Sequence, residues 1–172
     1  MALVVADSSA LVSLGTVAGE PTDPFEVLLA EHRVVLPERI VLELQETASF
    51  EDPSGDAARA VLDRSSAFEV RSTELEEEFP LDDGENAAVG LANELHARQL
   101  LCDEFNRLAL IHVSLADTRL VTTPTLLIAF LRNDRLSARD AAVLLDRMSE
   151  ARSWENNRYV ARARATLERQ HH

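Results

Sequence analysis

The segment ALVVADSSALVSLG, residues 2–15, joins a short apolar run to a helical pattern across three polar residues. The run ALVVA, residues 2–6, is apolar and rich in valine, which is typical of a strand buried on both faces of a parallel sheet. The polar DSS that follows ends the strand, and a helix is predicted from near Ser9. The segment therefore predicts a strand followed by a helix, the unit from which parallel sheets are built.

The same alternation of short apolar runs and longer helical patterns continues along the chain. Further strands are predicted at residues 33–36, 68–70, 100–102 and 119–123. Thr22 or Asp23 is predicted to cap a helix at 22–32, and a further helix is predicted to follow a loop through 53–55. The other helices are predicted at 37–48, 81–99, 105–116, 124–131, 138–151 and 154–168. Helical crossovers between parallel strands are right-handed. We therefore expect an α/β fold, a three-layer α/β/α sandwich around a parallel sheet of about four to five strands.

The length of the chain, 172 residues, fits one hydrophobic core. Residues 1–170 are expected to form a single domain, with its core at about 3–145 and C-terminal helices at 138–169. His171 and His172 resemble the remnant of a purification tag and are left out of the functional argument.

The charge balance is strongly acidic, with a net charge of -13, 30 acidic residues and 17 basic residues that are all arginine. Together these numbers favour a salt-loving source, because molar salt shortens the Debye length to about 3 Å and screens self-repulsion. An acidic surface differs from the basic footprint that nucleic-acid-binding proteins usually carry. A solvated acidic surface with no bearing on partners is the alternative.

The single cysteine, Cys102, lies in an apolar run. It excludes an internal disulfide framework, suits a reducing cytosol, and is expected to be a buried, inert thiol. Neither a secretory signal pattern nor an apolar stretch of the roughly 20 residues needed to cross a bilayer is present. We expect a soluble, cytoplasmic protein.

Four acids are predicted to meet at one edge of the sheet. Asp7 and Asp103 each follow a strand, and ligands of open parallel sheets bind at the carboxyl ends of strands. Glu85 falls in the first turn of a helix whose start is expected near the same edge. Glu43 lies at the margin of the apolar arc of its helix, whereas Glu46 falls nearly opposite that arc. Glu43 is therefore expected to face a cleft and Glu46 to face water.

Each of these acids also has a purely structural explanation. Asp7 suits the cap of the helix near Ser9, and Asp103 the cap of a helix starting at Glu104. Glu85 is favoured by the helix dipole, and Glu43 alone reads as a surface residue. Four crowded carboxylates would repel one another, and the chain has no lysine to neutralise them. Oxygen ligands suit Mg²⁺ or Mn²⁺, while His32, His96 and His112 are too dispersed for a zinc site.

Five segments of the chain resemble a known family when taken together. They are VVADSSALVSLG, VLPERIVLELQE, LDDGENAAVGLANEL, LLCDEFNRLAL and VTTPTLLIAFLRNDRLS. Their order and spacing over about residues 3–145 are similar to those of a PIN domain, in the archaeal and bacterial branch of VapC-type toxin ribonucleases. The resemblance implies a PIN-like fold and, with the acidic composition, a halophilic archaeal source.

The resemblance implies a metal-dependent endoribonuclease that uses one or two Mg²⁺ or Mn²⁺ ions. Its catalytic acids align with Asp7, Glu43, Glu85 and Asp103, with Asp7 and Asp103 as direct metal ligands. Glu43 and Glu85 bind the metal directly, through water, or orient the attacking water. The further candidates are Glu104, at a position where relatives often carry a second aspartate, and the hydroxyl residues Ser8, Ser9, Thr122 and Thr123. The tract VTTPTLL departs from the glycine-containing version expected of the family.

The substrate and partners implied by the resemblance are RNA, an antitoxin protein and a second copy of the chain. Arg107 aligns with a helix arginine common in this branch, and Arg33, Arg39, Arg98 and Arg119 are further candidates for contacting phosphates. Ordinary surface ion pairs are the alternative for each arginine. The apolar positions of ARDAAVLLDRM, residues 138–148, suit a homodimer face or packing on the protein's own core.

Two other classes of function remain open on the sequence. A catalytically weak binding or regulatory module would keep the fold and the acids but act through a protein or RNA partner. A phosphoryl-transfer protein is disfavoured, because DSSA lacks a second aspartate two residues after Asp7 and no lysine can stabilise a phosphoaspartate. A flap-type DNA nuclease is disfavoured because no extra length is available for an arch.

Overall fold

The computed structural model describes residues 1–170, and the proposed tag residues His171 and His172 lie outside them. Within this range the strands are β1 Ala2–Ala6, β2 His32–Pro37, β3 Glu69–Arg71, β4 Gln99–Leu101 and β5 Arg119–Val121. The helices are α1 Ser8–Gly15, α2 Pro24–Glu31, α3 Glu38–Ala48, α4 Pro53–Leu62, α5 Asp83–Leu95, α6 Leu108–Ser114, α7 Thr123–Arg132, α8 Ala138–Arg152 and α9 Arg158–Gln170. A 3₁₀ turn, Ser65–Ala67, precedes β3.

The described strands form one parallel sheet of five strands in the order β3-β2-β1-β4-β5. This confirms the predicted parallel α/β fold. The strand β1 lies at the centre, with β2 on one side and β4 on the other. The direction in which successive strands are added therefore reverses at β1. Ligands of open α/β sheets bind at such a point, beyond the carboxyl ends of the strands.

The core lies on both faces of the sheet, because alternate residues of each buried strand point to opposite sides. Val4 and Val34 pack with α1–α4 and α7–α9 on one face, and Val5 and Val35 pack with α5 and α6 on the other. The three predicted layers are therefore present. The apolar side chains of α8, such as Leu144 and Met148, are buried in this core, which is the packing alternative to a homodimer face.

Three helices begin or end at residues other than those predicted from the sequence. Helix α4 starts at Pro53, not after Gly55, because Asp52 caps it by accepting a hydrogen bond from the Gly55 N–H at 2.7 Å. Helix α5 ends at Leu95, since His96 adopts the left-handed conformation with φ of 50°. Helix α9 starts at Arg158 and not at Trp154.

The segment between β4 and α6 also departs from the predicted helix at 105–116. The backbone N–H of Phe105 bonds to the carbonyl of Asp103, and that of Arg107 bonds to the carbonyl of Glu104. These bonds close tight turns, so the helix begins only at Leu108. Asp103 is consequently not the cap of α6, and that structural alternative is wrong.

No helix in residues 1–170 is both long enough and apolar enough to cross a bilayer.

Candidate active site

Asp7 stands directly after β1 and caps α1. The Asp7 carboxylate accepts hydrogen bonds through Oδ2 from the backbone N–H of Ser9 at 3.3 Å and from the Ser9 hydroxyl at 2.6 Å. The residue is only 4% exposed. The structural explanation, helix capping, is therefore correct, and it places the carboxylate at the sheet edge where the functional explanation requires it.

Asp103 lies beside Asp7, two residues past the end of β4. Its backbone N–H donates to the Ser9 hydroxyl at 2.9 Å, so Ser9 bridges the two acids. Its Oδ1 accepts the backbone N–H of Thr123, the first residue of α7, at 2.7 Å. Its Oδ2 is buried and has no hydrogen-bond partner among residues 1–170. This oxygen is therefore a buried acceptor that could bind a hydrogen-bond donor or a cation.

Burial sets the electrostatics of this pair. Loss of hydration raises the pKa of both Asp7 and Asp103, and it outweighs the lowering effect of the bonds from Ser9 and Thr123. Nearby Asp82 and Glu85 raise the pKa of Asp7 further. The charge of Arg152 lowers the pKa of Asp103 but does not offset the effect of burial.

Glu43 reaches the same acidic group from α3. Its carboxylate lies against Gly84 of α5, close enough that a Cβ at position 84 would overlap it. Burial, followed by the charges of Asp7 and Asp82, raises the pKa of Glu43 to about 7. Its Oε1 has no hydrogen-bond partner within the described chain. As predicted, Glu43 is half-buried while Glu46 is exposed.

Glu85 is the acid that already has a counter-charge. It is 4% exposed, and its carboxylate receives Nε and Nη2 of Arg107, with the shortest contact 2.9 Å. Glu85 also forms a capping box with Asp82 at the start of α5. This pairing holds Glu85 in place and occupies Arg107, which had been predicted to bind RNA.

Two exposed acids complete the rim, Glu104 and Asp82. The pKa of Glu104 is raised by burial of its carboxylate and by the charges of Asp7, Glu85 and Asp82. The sequence reasoning missed Asp82, although DDGE carries the Asp-x-x-Glu pattern of a capping box that would have placed it beside Glu85.

Arg152, at the end of α8, is a second residue that the sequence reasoning missed. Its Nη2 donates to the backbone carbonyl of Ser9 at 3.4 Å, and the charges of Asp103 and Glu104 act on it. Burial lowers its pKa, and its Nε has no partner among the residues described. No local pattern marks Arg152, because 143 residues separate it from Ser9.

The predicted hydroxyl residues have distinct positions. Ser9, not Ser8, makes the contacts to both aspartates. Thr122 caps α7, where its hydroxyl accepts from the Thr125 N–H, and Thr123 binds Asp103 through its backbone. Cys102 is buried, as predicted, and burial raises the pKa of its thiol.

The chain was compared with known proteins. A family model described as a PIN domain matches residues 3–169. The chain belongs to the PIN-domain family. The comparison with curated proteins finds no match. Membership in the family supports nuclease activity, and hence a hydrolase role, in general terms.

The other arginines proposed to bind RNA lie away from the acids of this PIN domain or are already paired. Arg39 pairs with Asp83 at 3.4 Å, and Arg33 pairs with Glu69. Arg98 precedes β4 and Arg119 begins β5, so both stand at the amino ends of the strands, across the sheet from Asp7 and Asp103. Of these four arginines, only Arg39 lies near the acids, where its charge lowers the pKa of Glu43.

The acids fit a divalent cation in chemistry but do not form a complete ligand set. Within residues 1–170, no three acidic, histidine or cysteine side chains are close enough to make a metal-binding group. The buried pair Asp7 and Asp103, with the free Oδ2 of Asp103, supplies the oxygen donors that Mg²⁺ and Mn²⁺ prefer. Mg²⁺ commonly keeps several waters and takes only one or two carboxylates. An ion held by this pair alone would have to keep several of its waters.

Proposed function

We propose that the protein is an Mg²⁺- or Mn²⁺-dependent endoribonuclease that hydrolyses RNA phosphodiesters at the edge carrying Asp7 and Asp103. The observation that supports this most is the buried aspartate pair bridged by Ser9, in which Asp103 keeps one oxygen free. Family membership supports the nuclease class, and the carboxylates supply the chemistry.

Asp7 and Asp103 would hold the cation between the ends of β1 and β4. When bound, a divalent cation supplies a low-pKa water and stabilises the negative charge that develops on the leaving oxygen. Ser9 fixes the separation of the two aspartates, since its hydroxyl donates to Asp7 and accepts from the Asp103 backbone. The dipole and the N–H groups at the start of α7 favour the ionised form of Asp103, although burial still raises its pKa in the metal-free protein.

The two glutamates would have different roles. Glu43 has a free carboxylate oxygen, so it can accept a hydrogen bond from the attacking water and orient it. Glu85 is locked by Arg107 and by the capping box, so it would act by holding the α5 start and Arg107 in position. Glu104 and Asp82, at the exposed rim, would bind the waters of the hydrated ion.

Five further predictions about substrate, role, assembly, location and source belong to this proposal. These are RNA as the substrate, a toxin role with an antitoxin partner, a homodimer, a cytoplasmic location and a salt-loving archaeal source. A second candidate function, a binding or regulatory module with weak catalysis, is favoured by one observation: no three acids of the described chain yet form a metal group.

Cleavage of a labelled single-stranded RNA, with and without Mn²⁺, tests the proposal. We expect metal-dependent cleavage by the wild type and a loss of at least about 100-fold in Asp7→Asn and in Asp103→Asn, as for removal of a central electrostatic group. The control is Asp117→Asn, an exposed acid just before β5 at the opposite edge. Absence of cleavage by the wild type with Mn²⁺ present, or equal cleavage by all variants, contradicts the nuclease assignment.

A further inference from the structure

A groove of about 650 Å³ lies between α6, α7 and α9. Three arginines line it, Arg132 at the end of α7 and Arg158 and Arg162 on α9. We call it the arginine groove. No carboxylate is among its lining residues in the described part of the chain. In a chain of net charge -13, a groove lined by arginines and no acid is an exception that needs a reason.

The three arginines of the groove make no ion pairs within the described residues. Eight other arginines of the described chain pair with carboxylates. Arg132, Arg158 and Arg162 are exposed and make no salt bridge within residues 1–170. A neighbouring groove at the α8–α9 junction, which shares Arg158, is lined by the acids Asp146, Glu150 and Glu155 and by Arg164. The groove thus presents positive charge that is free to meet an anionic ligand.

Aromatic rings form part of the same wall. Phe105 and Tyr159 stack with ring centroids 5.4 Å apart and an interplanar angle of 21°. The Arg158 guanidinium lies 5.2 Å from the centroid of the Tyr159 ring. Both rings are partly exposed. Half-exposed aromatic rings beside arginines are the combination on which single-stranded nucleic acids stack their bases and rest their phosphates.

The groove is lined in part by residues that are close in sequence to the acidic edge. Phe105 lies two residues after Asp103, and Thr122 precedes the residue whose N–H binds Asp103. Two of the residues that line the groove therefore belong to the same segments that carry or hold Asp103. Helices α7 and α9, which form two sides of the groove, pack against each other.

We propose that the arginine groove binds the single-stranded RNA segment that flanks the scissile phosphodiester, with phosphates on Arg132, Arg158 and Arg162 and a base beside Tyr159. This inference deepens the proposed function and rests on it for the identity of the ligand. The groove supplies the positive surface that the acidic edge lacks, and it explains how an acidic protein can hold RNA. An acidic protein segment is the competing occupant.

Binding without catalysis tests the groove separately from the chemistry. The probe is a labelled single-stranded RNA of about 12 nucleotides, within the usual range of site sizes, measured by fluorescence anisotropy in EDTA. The groove variant is Arg132→Ala with Arg158→Ala and Arg162→Ala. The control is Arg98→Ala with Arg119→Ala and Arg139→Ala, which removes the same charge from exposed arginines that also make no salt bridge in residues 1–170.

We expect the groove variant to bind the RNA at least about tenfold more weakly than the control variant does. The slope of log K against log salt should become shallower by about 2, since each lost phosphate contact removes about 0.7 from that slope. Matching melting temperatures of the two variants establish that both are folded. Equal weakening in both variants, unchanged binding in the groove variant, or no binding by the wild type overturns the inference. Loss of poly-glutamate binding with retained RNA binding in the groove variant also overturns it, in favour of an acidic protein partner.

The metal-dependent assay separates the two hypotheses. With Mn²⁺, the groove variant is expected to lose a much larger fraction of the wild-type activity on long RNA than on a dinucleotide, whereas the control variant should show no such difference between the two substrates. RNA binding through the groove without any cleavage by the wild type would retain the groove and remove the nuclease. Cleavage of long RNA that does not depend on the groove would retain the nuclease and remove the groove.

Discussion

Glu43 should make the stability of the metal-free protein depend on pH. Its pKa is raised from 4.5 to about 7 in the folded protein, so the folded state binds more protons than the unfolded state between these values. The free energy of unfolding therefore falls as pH rises from about 4.5 to about 7. The raised pKa values of Asp7, Asp103 and Glu104 act in the same direction.

Urea unfolding in EDTA over this pH range is the measurement. Glu43→Gln should flatten the decline, whereas Glu46→Gln, an exposed residue of the same helix, should leave it as in the wild type. A metal-free protein that is equally stable at both ends of the range would show that Glu43 does not titrate as the structure indicates.

Arg152 should stabilise the aspartate pair in the absence of metal. Arg152→Met keeps the length of the side chain but removes the charge near Asp103 and Glu104 and the bond to the Ser9 carbonyl. We expect a loss of about 1–3 kcal/mol in the free energy of unfolding in EDTA, as for other hydrogen bonds to charged groups. Added Mn²⁺ should recover part of that loss, because a cation replaces the missing charge.

Arg139→Met, at an exposed position in the first turn of the same helix, is the control for Arg152. Chemical denaturation of both variants gives the comparison. An Arg152 variant as stable as the Arg139 variant would remove Arg152 from the electrostatic account of the site.

The individual site residues were predictable to different degrees. Asp7 and Asp103 could be assigned because strand ends are visible as apolar runs, and ends of parallel strands share an edge. Arg152 could not, since it reaches Ser9 through the packing of α8 on α1 and no spacing in the chain reports that contact. Arg107 was predicted to contact RNA, which stays a prediction, whereas its ion pair with Glu85 joins residues 22 positions apart and was not predicted.

The packing of α3 against α5 can be tested by a pair of glycines on one helix. A Cβ at Gly84 would overlap the Glu43 carboxylate, whereas the nearest atom to a Cβ at Gly90 is 3.7 Å away. Alanine is favoured over glycine in a helix by up to about 1 kcal/mol. Gly90→Ala should therefore stabilise the protein and leave cleavage unchanged.

Gly84→Ala should instead displace Glu43, the flexible partner in this contact. We expect cleavage to fall by about tenfold or more, since misplacement of a group that positions a reactant has a large effect, with little change in stability. Melting temperature and cleavage rate measured on both variants give the comparison. Full activity of Gly84→Ala would show that Glu43 does not need its observed position.

Most elements were predictable because their hydrophobic periodicity is strong, and the errors lie at their ends. Cys102 and Thr123 were assigned to strands, yet Cys102 follows β4 and Thr123 opens α7. Both boundaries are set by contacts from other parts of the chain, such as the bond from Thr123 to Asp103. The sheet order, with β1 at the centre, follows from packing and could only be expected by family resemblance.

The acidity of the chain should make its stability depend strongly on salt. Self-repulsion at a net charge of -13 weakens as salt shortens the Debye length from about 10 Å at 0.1 M to about 3 Å at 1 M. We expect the melting temperature in EDTA to rise steadily with KCl over this range. Repeating the series near the isoelectric point, pI about 4.7, should abolish most of the rise. A melting temperature independent of KCl at neutral pH would contradict a surface adapted to high salt.

Titration of Mn²⁺ into the protein during thermal unfolding shows whether Asp7 and Asp103 form a divalent-cation site. A cation that binds only the folded state stabilises it by about 2.7 kcal/mol at a hundredfold excess over Kd. Asp103→Asn should be more stable than the wild type in EDTA, because it removes a buried charge with a free oxygen, and should gain nothing from Mn²⁺. Of the three proteins, we expect Mn²⁺ to raise the melting temperature of the wild type and of Asp117→Asn but not that of Asp103→Asn. No rise in the wild type up to millimolar Mn²⁺, or an equal rise in Asp103→Asn, would contradict it.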